Sequence, residues 1–296
     1  MKRRQDSPDQ DSPTWKDAEG RWILAKQDFF KRKPIDPESC APLGELYAMT
    51  GLEDVKRTVR GLVQLAADNI VAEDEGQPEI ELSLHRVFLG NPGTGKTTVA
   101  KVYGKILNEM GFLSSGEVMV VGASTLTGAH VGSTAAKVNA VIDSCAGKVL
   151  VIDEAYILGQ SAYGKEALDT LVERVQGTGT EDFAVIMCGY EDPMRTMFRE
   201  CNPGLARRFK LDGDSPIKFQ DYDDAQLTAI MLARAAGTGL SLDADLAHAA
   251  VSRILSKLRA KPNFGNAGAV NNMLDNAKAG GLLTTGTRPM LNPRNI

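Results

Sequence analysis

The sequence predicts an α/β fold in which a parallel sheet is covered by helices on both faces and followed by a small all-helical domain. Three observations predict it. Short apolar runs alternate with helical stretches, one of those runs feeds a glycine-rich turn that opens a helix, and beyond Asp221 only helical spacing remains.

The apolar runs are residues 85–89 (His-Arg-Val-Phe-Leu), 117–121, 148–152 and 183–188. Each is continuous rather than alternating, as expected of strands buried on both faces. Helices are expected over 52–71, where Leu52, Val55, Val59, Leu62, Val63, Leu65, Ala66 and Ile70 recur at helical spacing, and from Thr97 onward. Two more are expected near 134–145 and 165–175, and three in the second domain over 225–236, 244–258 and 267–279. Residues 1–20, rich in Asp, Ser, Pro and Gln, read as a disordered tail. Pro34, Pro37 and Pro42 make 22–47 a connector with one short helix around 22–31; residues 72–81 read as an acidic loop and 282–296 as a loose tail. The expected organisation is a tail and connector (1–43), a large α/β domain (44–220), a small helical domain (221–281) and a C-terminal tail (282–296).

The 296 residues carry a formal net charge of −4 and a pI near 5.6, so no global charge favours nucleic acid. No apolar stretch reaches the roughly 20 residues of a membrane span, and no signal-peptide core follows Met1, so a cytoplasmic or nuclear protein is expected. Cys40, Cys145, Cys188 and Cys201 lack C-x-x-C spacing and fit a reducing compartment. With only His85, His130 and His248, histidine-based metal chemistry is not expected.

Residues 90–97, Gly-Asn-Pro-Gly-Thr-Gly-Lys-Thr, match the phosphate-loop pattern G-x-x-x-x-G-K-[ST]. Such glycines let backbone N–H groups close on phosphates, the lysine reaches the terminal ones, and the threonine hydroxyl binds Mg2+. The candidate nucleotide-binding residues are therefore Asn91, Pro92, Gly93, Thr94, Gly95, Lys96, Thr97 and Thr98. The third run ends in Asp153-Glu154, which puts two carboxylates at the carboxyl edge of a strand, where open α/β sheets bind ligands. Asp153 is the expected partner of Thr97 in holding magnesium, and Glu154 the residue that orients or deprotonates the attacking water. A nucleotide and Mg2+ are the expected ligands.

Taken together, residues 90–98, Val-Leu-Val-Ile-Asp-Glu-Ala-Tyr at 149–156, Cys-Gly-Tyr at 188–190 and Asn-Pro-Gly-Leu-Ala-Arg-Arg-Phe at 202–209 resemble an AAA+ ATPase. More narrowly they resemble the CbbX-type clade of red-type rubisco activases and stage V sporulation protein K-like ATPases, over about residues 46–279. The resemblance implies a ring, usually a hexamer of like or related AAA+ subunits, that spends ATP on remodelling a protein substrate. It also implies that Gly51 and Leu52 pack on adenine and that Arg208, with Arg207 as fallback, is the arginine finger reaching a neighbour's γ-phosphate.

Three departures from the family pattern bear on that expectation. His130 stands where the family usually has a substrate-gripping pore aromatic, and Gly268 where it has a γ-phosphate-sensing lid arginine. The polar sensor common at the end of the fourth strand also lacks a match at Cys188-Gly189. Two readings stay open: an active remodelling ATPase, favoured by Glu154 and Arg208, and an ATP-binding scaffold with little hydrolysis, favoured by His130 and Gly268. A small-molecule kinase is a distant third. The sequence does not identify a protein substrate.

Overall fold

The computed structural model describes residues 15–16, 22–23, 40–78, 80, 82–128, 130, 132–176, 181–211, 215–240, 242–259 and 264–279. The expected C-terminal tail and most of the N-terminal one lie outside the described residues. Trp22–Ile23, expected to begin a helix, instead pairs antiparallel with Trp15–Lys16.

Five parallel strands, β1 (Arg86–Gly90), β2 (Val118–Gly122), β3 (Val149–Asp153), β4 (Ala184–Gly189) and β5 (Ile217–Phe219), form one sheet in the order β2-β3-β4-β1-β5. Strand periodicity divides its residues between two cores. Phe88, Val149, Val151, Ile186 and Phe219 face one core, with α1 (Ala41–Tyr47), α2 (Glu53–Asp74) and α3 (Lys96–Glu109). Val87, Leu89, Leu150, Ile152, Val185 and Met187 face the other. That second core is closed by α5 (Ser133–Asp143), α6 (Ala162–Arg174), α7 (Glu191–Glu200) and α8 (Pro203–Phe209), with the short α4 (Ala123–Leu126) at its edge. On α2, Val55, Val59, Val63 and Ala66 recur at helical spacing and all are buried; each such valine contributes about 1.5–3 kcal/mol through burial.

Three expectations need correction. Among the described residues, 118–122 form an edge strand, with a neighbour on one side only, and Val120 is 46% exposed rather than buried. Pro42 does not interrupt a helix: it lies in the first turn of α1, where its missing N–H has no intrahelical partner to lose. The acidic stretch after residue 72 begins inside α2, which runs to Asp74. The three-residue β5, α7 and α8 were not anticipated.

Three further helices, α9 (Asp224–Gly237), α10 (Ala244–Arg259) and α11 (Asn266–Ala279), gather around Leu227, Met231, Val251, Leu255, Phe264 and Val270. α9 starts on a capping box in which Asp223 and Gln226 satisfy each other's backbone N–H groups. Among the described residues no helix is long and apolar enough to cross a membrane.

Candidate active site

The site lies at the carboxyl edge of the sheet. β1 ends at Gly90, and the turn over residues 91–95 delivers the N-terminus of α3 at Lys96, with Gly95 in the left-handed region (φ 99°). A helix N-terminus leaves its first N–H groups unpaired and carries partial positive charge, which favours an anion there. Lys96 Nζ donates to the carbonyls of Gly90 and Asn91, each at 2.8 Å. Burial lowers the Lys96 pKa below the usual lysine value, and acidic side chains around it, Asp153 and Asp221 among them, oppose that shift. The fully buried Thr94 closes the loop from within, donating to the Asn91 carbonyl at 2.8 Å.

β3 delivers Asp153 as its last residue and Glu154 directly after it, both exposed. Glu154 has left-handed backbone angles (φ 51°, ψ 42°), uncommon for a residue with a side chain, and they turn the chain into a 3-10 helix over Ala155–Gln160. Its N–H donates to the Asp153 carboxylate at 3.1 Å, and the Tyr156 hydroxyl donates to Glu154 Oε1 at 3.3 Å. Tyr156 packs on Tyr190, just past β4, with ring centroids 5.6 Å apart. Desolvation, reinforced by the Glu154 charge, pushes the Tyr156 phenol up to about 12, so it stays protonated and able to donate at neutral pH. Cys188, buried at the end of β4, has its thiol pushed up to about 12 by burial, which leaves it an unreactive thiol.

The helical domain is stitched to the phosphate loop. The Tyr222 hydroxyl donates to the Thr94 carbonyl at 3.0 Å. Asn266, fully buried, donates to the Pro92 carbonyl at 3.3 Å and to Asp221 at 2.8 Å, and accepts the Tyr222 N–H at 2.9 Å. Asn91 donates to the same Asp221 carboxylate at 2.9 Å. Gly93 comes so close to the start of α11 that a Cβ there would lie 2.1 Å from the Gly265 carbonyl oxygen.

Loop, strand ends and helical domain enclose a cavity of about 600 Å³. Of the predicted site residues, Leu52, Pro92, Gly93, Gly95, Lys96, Thr97, Thr98, Asp153 and Glu154 line it. Gly51, Asn91 and Thr94 do not: Gly51 lies against Gln226 and Tyr222, and the side chains of Asn91 and Thr94 are spent within the loop and its linker. Arg207 and Arg208 are on α8 and line no part of the cavity. Arg208 donates to the carbonyls of Val175 and Gly204, whereas Arg207 is exposed with no side-chain partner among the described residues. His130 is exposed ahead of α5, its backbone tied to Ser133.

Sequence reasoning missed Tyr222, Ile230, Arg234 and Asn271, all of which line the cavity from the linker and helical domain. No motif marks them, since they meet the loop only through the packing of α9 and α11. Thr97 and Asp153 offer an all-oxygen donor set at the cavity wall, which suits a hard divalent cation with few protein ligands.

Residues 86–210 match the family model described as the ATPase family associated with various cellular activities (AAA), and residues 223–281 match an AAA lid domain. The chain is 36% identical over 262 residues to protein CfxQ of Xanthobacter flavus, covering 87% of this chain and 79% of that protein. It is 36% identical over 234 residues to the chloroplastic ribulose bisphosphate carboxylase/oxygenase activase of Cyanidioschyzon merolae, covering 78% and 74%. Against stage V sporulation protein K of Bacillus subtilis it is 39% identical over 189 residues, 63% of this chain and 57% of the other. Among solved structures, a Thermotoga maritima RuvB mutant aligns with a TM-score of 0.55 at 19% identity, covering 84% of this chain and 69% of that one. The FIGL-1 AAA domain in complex with ADP aligns with a TM-score of 0.52 at 18% identity, covering 78% and 71%. At these identities the structural likeness concerns the fold.

Proposed function

The chain belongs to the AAA family of ATPases, in the group of CfxQ- and CbbX-type proteins, and from that premise we propose that it hydrolyses magnesium-ATP within a ring, most simply a hexamer, to remodel a protein. One observation carries the reading: Lys96, Thr97, Asp153 and Glu154 line a single cavity between the sheet edge and the lid.

In this account the N–H groups at the start of α3 and the Lys96 ammonium bind the phosphates, with adenine toward Leu52. Thr97 and Asp153 hold Mg2+, which when bound offsets negative charge on the phosphates. Glu154 accepts the proton of a water whose oxygen bonds to the γ-phosphorus while the bond to the bridging oxygen breaks and ADP leaves with the electron pair. Tyr156 holds one oxygen of Glu154, leaving the other for water. An α8 arginine would reach a neighbour's cavity, where fixed positive charge stabilises the transition state. The resemblance favours Arg208, and the exposure of Arg207 makes it the arginine that is available without breaking existing bonds.

The relative named as a rubisco activase does not make rubisco the substrate here, because His130 replaces the pore aromatic. A nucleotide-gated scaffold remains the second reading, supported by the vacancy in side-chain terms at Gly268. ATPase rate measured against protein concentration, alongside native mass with and without ATP, separates the two. A specific activity that rises as a ring forms supports the motor; tight ATP binding by an inert monomer supports the scaffold.

A further inference from the structure

The glycine at 268 leaves the lid without a cation at the position where the resemblance expects one, yet the cavity does contain a second cation. Among the described residues lining it, the positively charged side chains are Lys96 from the phosphate loop and Arg234 from α9. Arg234 occupies the first lid helix, one turn after Ile230, and both line the cavity, so this face of α9 is turned toward it. α9 packs directly against α11, the helix carrying Gly268, and the two helices present Arg234 and Gly268 to the same space.

Two further observations point to a ligand. The Arg234 guanidinium is exposed and has no hydrogen-bond or ion-pair partner among the described residues, unlike Arg259 on the neighbouring lid helix, which is engaged with Asp224 and the Tyr222 carbonyl. Its charge is also felt at the Tyr222 phenol, whose hydroxyl sits on the phosphate loop at Thr94. Around Gly268 the space is open: a Cβ there would meet nothing within 4 Å. The lid wall therefore has room at one helix and an uncommitted guanidinium at the next.

We propose that Arg234 is the lid's phosphate-directed cation, a specificity-determining residue that makes this site prefer a nucleoside triphosphate to a diphosphate. The inference rests on the reading of the cavity as the ATP site. A long, planar, permanently charged side chain suits this task, since a guanidinium can meet phosphate oxygens through two parallel N–H bonds. Because Arg234 comes from α9 rather than α11, closing the lid on a triphosphate would engage the first lid helix directly.

The test uses the full chain and compares equilibrium binding of the nonhydrolysable β,γ-imido analogue of ATP with that of ADP, both with Mg2+. Lys96→Ala serves as the control on the cavity itself and should weaken both nucleotides. Arg234→Ala should weaken the ATP analogue about 10- to 100-fold, the range expected for one charge-assisted hydrogen-bonded contact, and ADP less than about threefold. Arg234→Lys should fall between. The double variant Arg234→Ala with Gly268→Arg should regain preference for the triphosphate, since the open space at Gly268 accepts a side chain. Equal losses for both nucleotides would make Arg234 a base or ribose contact and overturn the proposal, as would unchanged binding. Binding by the wild type that is indifferent to Lys96→Ala would instead overturn the reading of the cavity, and the proposal with it.

Discussion

The Tyr156 hydroxyl donates to Glu154 Oε1 at 3.3 Å, with the Tyr156 ring set against Tyr190. Glu154 sits in a left-handed turn at an exposed strand end, where a carboxylate has few packing restraints of its own. The phenol fixes which oxygen is occupied. Tyr156→Phe keeps the ring contact and removes that bond, so kcat should fall about 2- to 10-fold, the weight of one net hydrogen bond, with ATP affinity unchanged. Steady-state phosphate release together with nucleotide titration checks it; a matching loss of affinity would place Tyr156 in binding instead.

The approach of Gly93 to the lid yields a second prediction. Its φ is +70°, and any Cβ would strike the Gly265 carbonyl at 2.1 Å and the Gly268 nitrogen at 2.8 Å. Both are backbone atoms and cannot swing aside. Gly93→Ala should therefore push the lid off the phosphate loop and weaken ATP at least about tenfold, beyond the roughly 1 kcal/mol that the backbone angle alone costs. Titration with a fluorescent ATP analogue reads it.

Asn266 is the hub of the same junction, fully buried and joined to Pro92, Asp221 and the Tyr222 N–H. Asn266→Ala strands that buried N–H and the Pro92 carbonyl. The expected loss is about 2–3 kcal/mol. Where unfolding is cooperative, that corresponds to a melting-temperature fall of about 4–12 °C. A melting temperature within a degree of the wild type would show that the lid is not held through this residue.

How much of this was legible in the sequence follows from which interactions are local. The phosphate loop and Asp153-Glu154 are contiguous words whose strand and helix context is set by neighbours a few residues away, so four of the five strands, the three lid helices and the phosphate-loop and strand-end wall of the cavity could be read directly. β5 is three residues long, too short for periodicity to register, and Pro42 reads equally well as a breaker or as a first-turn residue. Tyr222, Arg234 and Asn271 enter the cavity only because the lid docks on the loop, a contact between residues more than a hundred positions apart that leaves no local trace.

Lys96 gives the pH dependence its sign. Burial lowers the pKa of the free site, and phosphate bound beside the ammonium raises it, so at pH above the free value nucleotide binding must take up a proton. Affinity is therefore flat at neutral pH and falls as pH rises, beginning below the ordinary lysine value of 10.5. Isothermal titration across the alkaline range, in buffers of differing ionisation enthalpy, should show that proton uptake; its absence would mean that Lys96 does not meet the phosphates.

The two α8 arginines should separate by stability. Arg208 holds the carbonyls of Val175 and Gly204, so Arg208→Ala should lower the melting temperature as well as hydrolysis. Arg207→Ala should leave stability within about 0.5 kcal/mol, as exposed substitutions usually do. Mixing either variant with Glu154→Gln subunits then tests action between neighbours: a finger acting across the interface predicts activity recovered in the mixed assembly, and additive loss contradicts it.

The most direct test of the account is phosphate release by the wild type and by Glu154→Gln, with ATP binding measured in the same samples. The account predicts that the wild type releases phosphate with magnesium, and that the variant binds ATP as tightly while its release falls by at least about a hundredfold, the lower end for loss of a general base. Equal release by both proteins would contradict it.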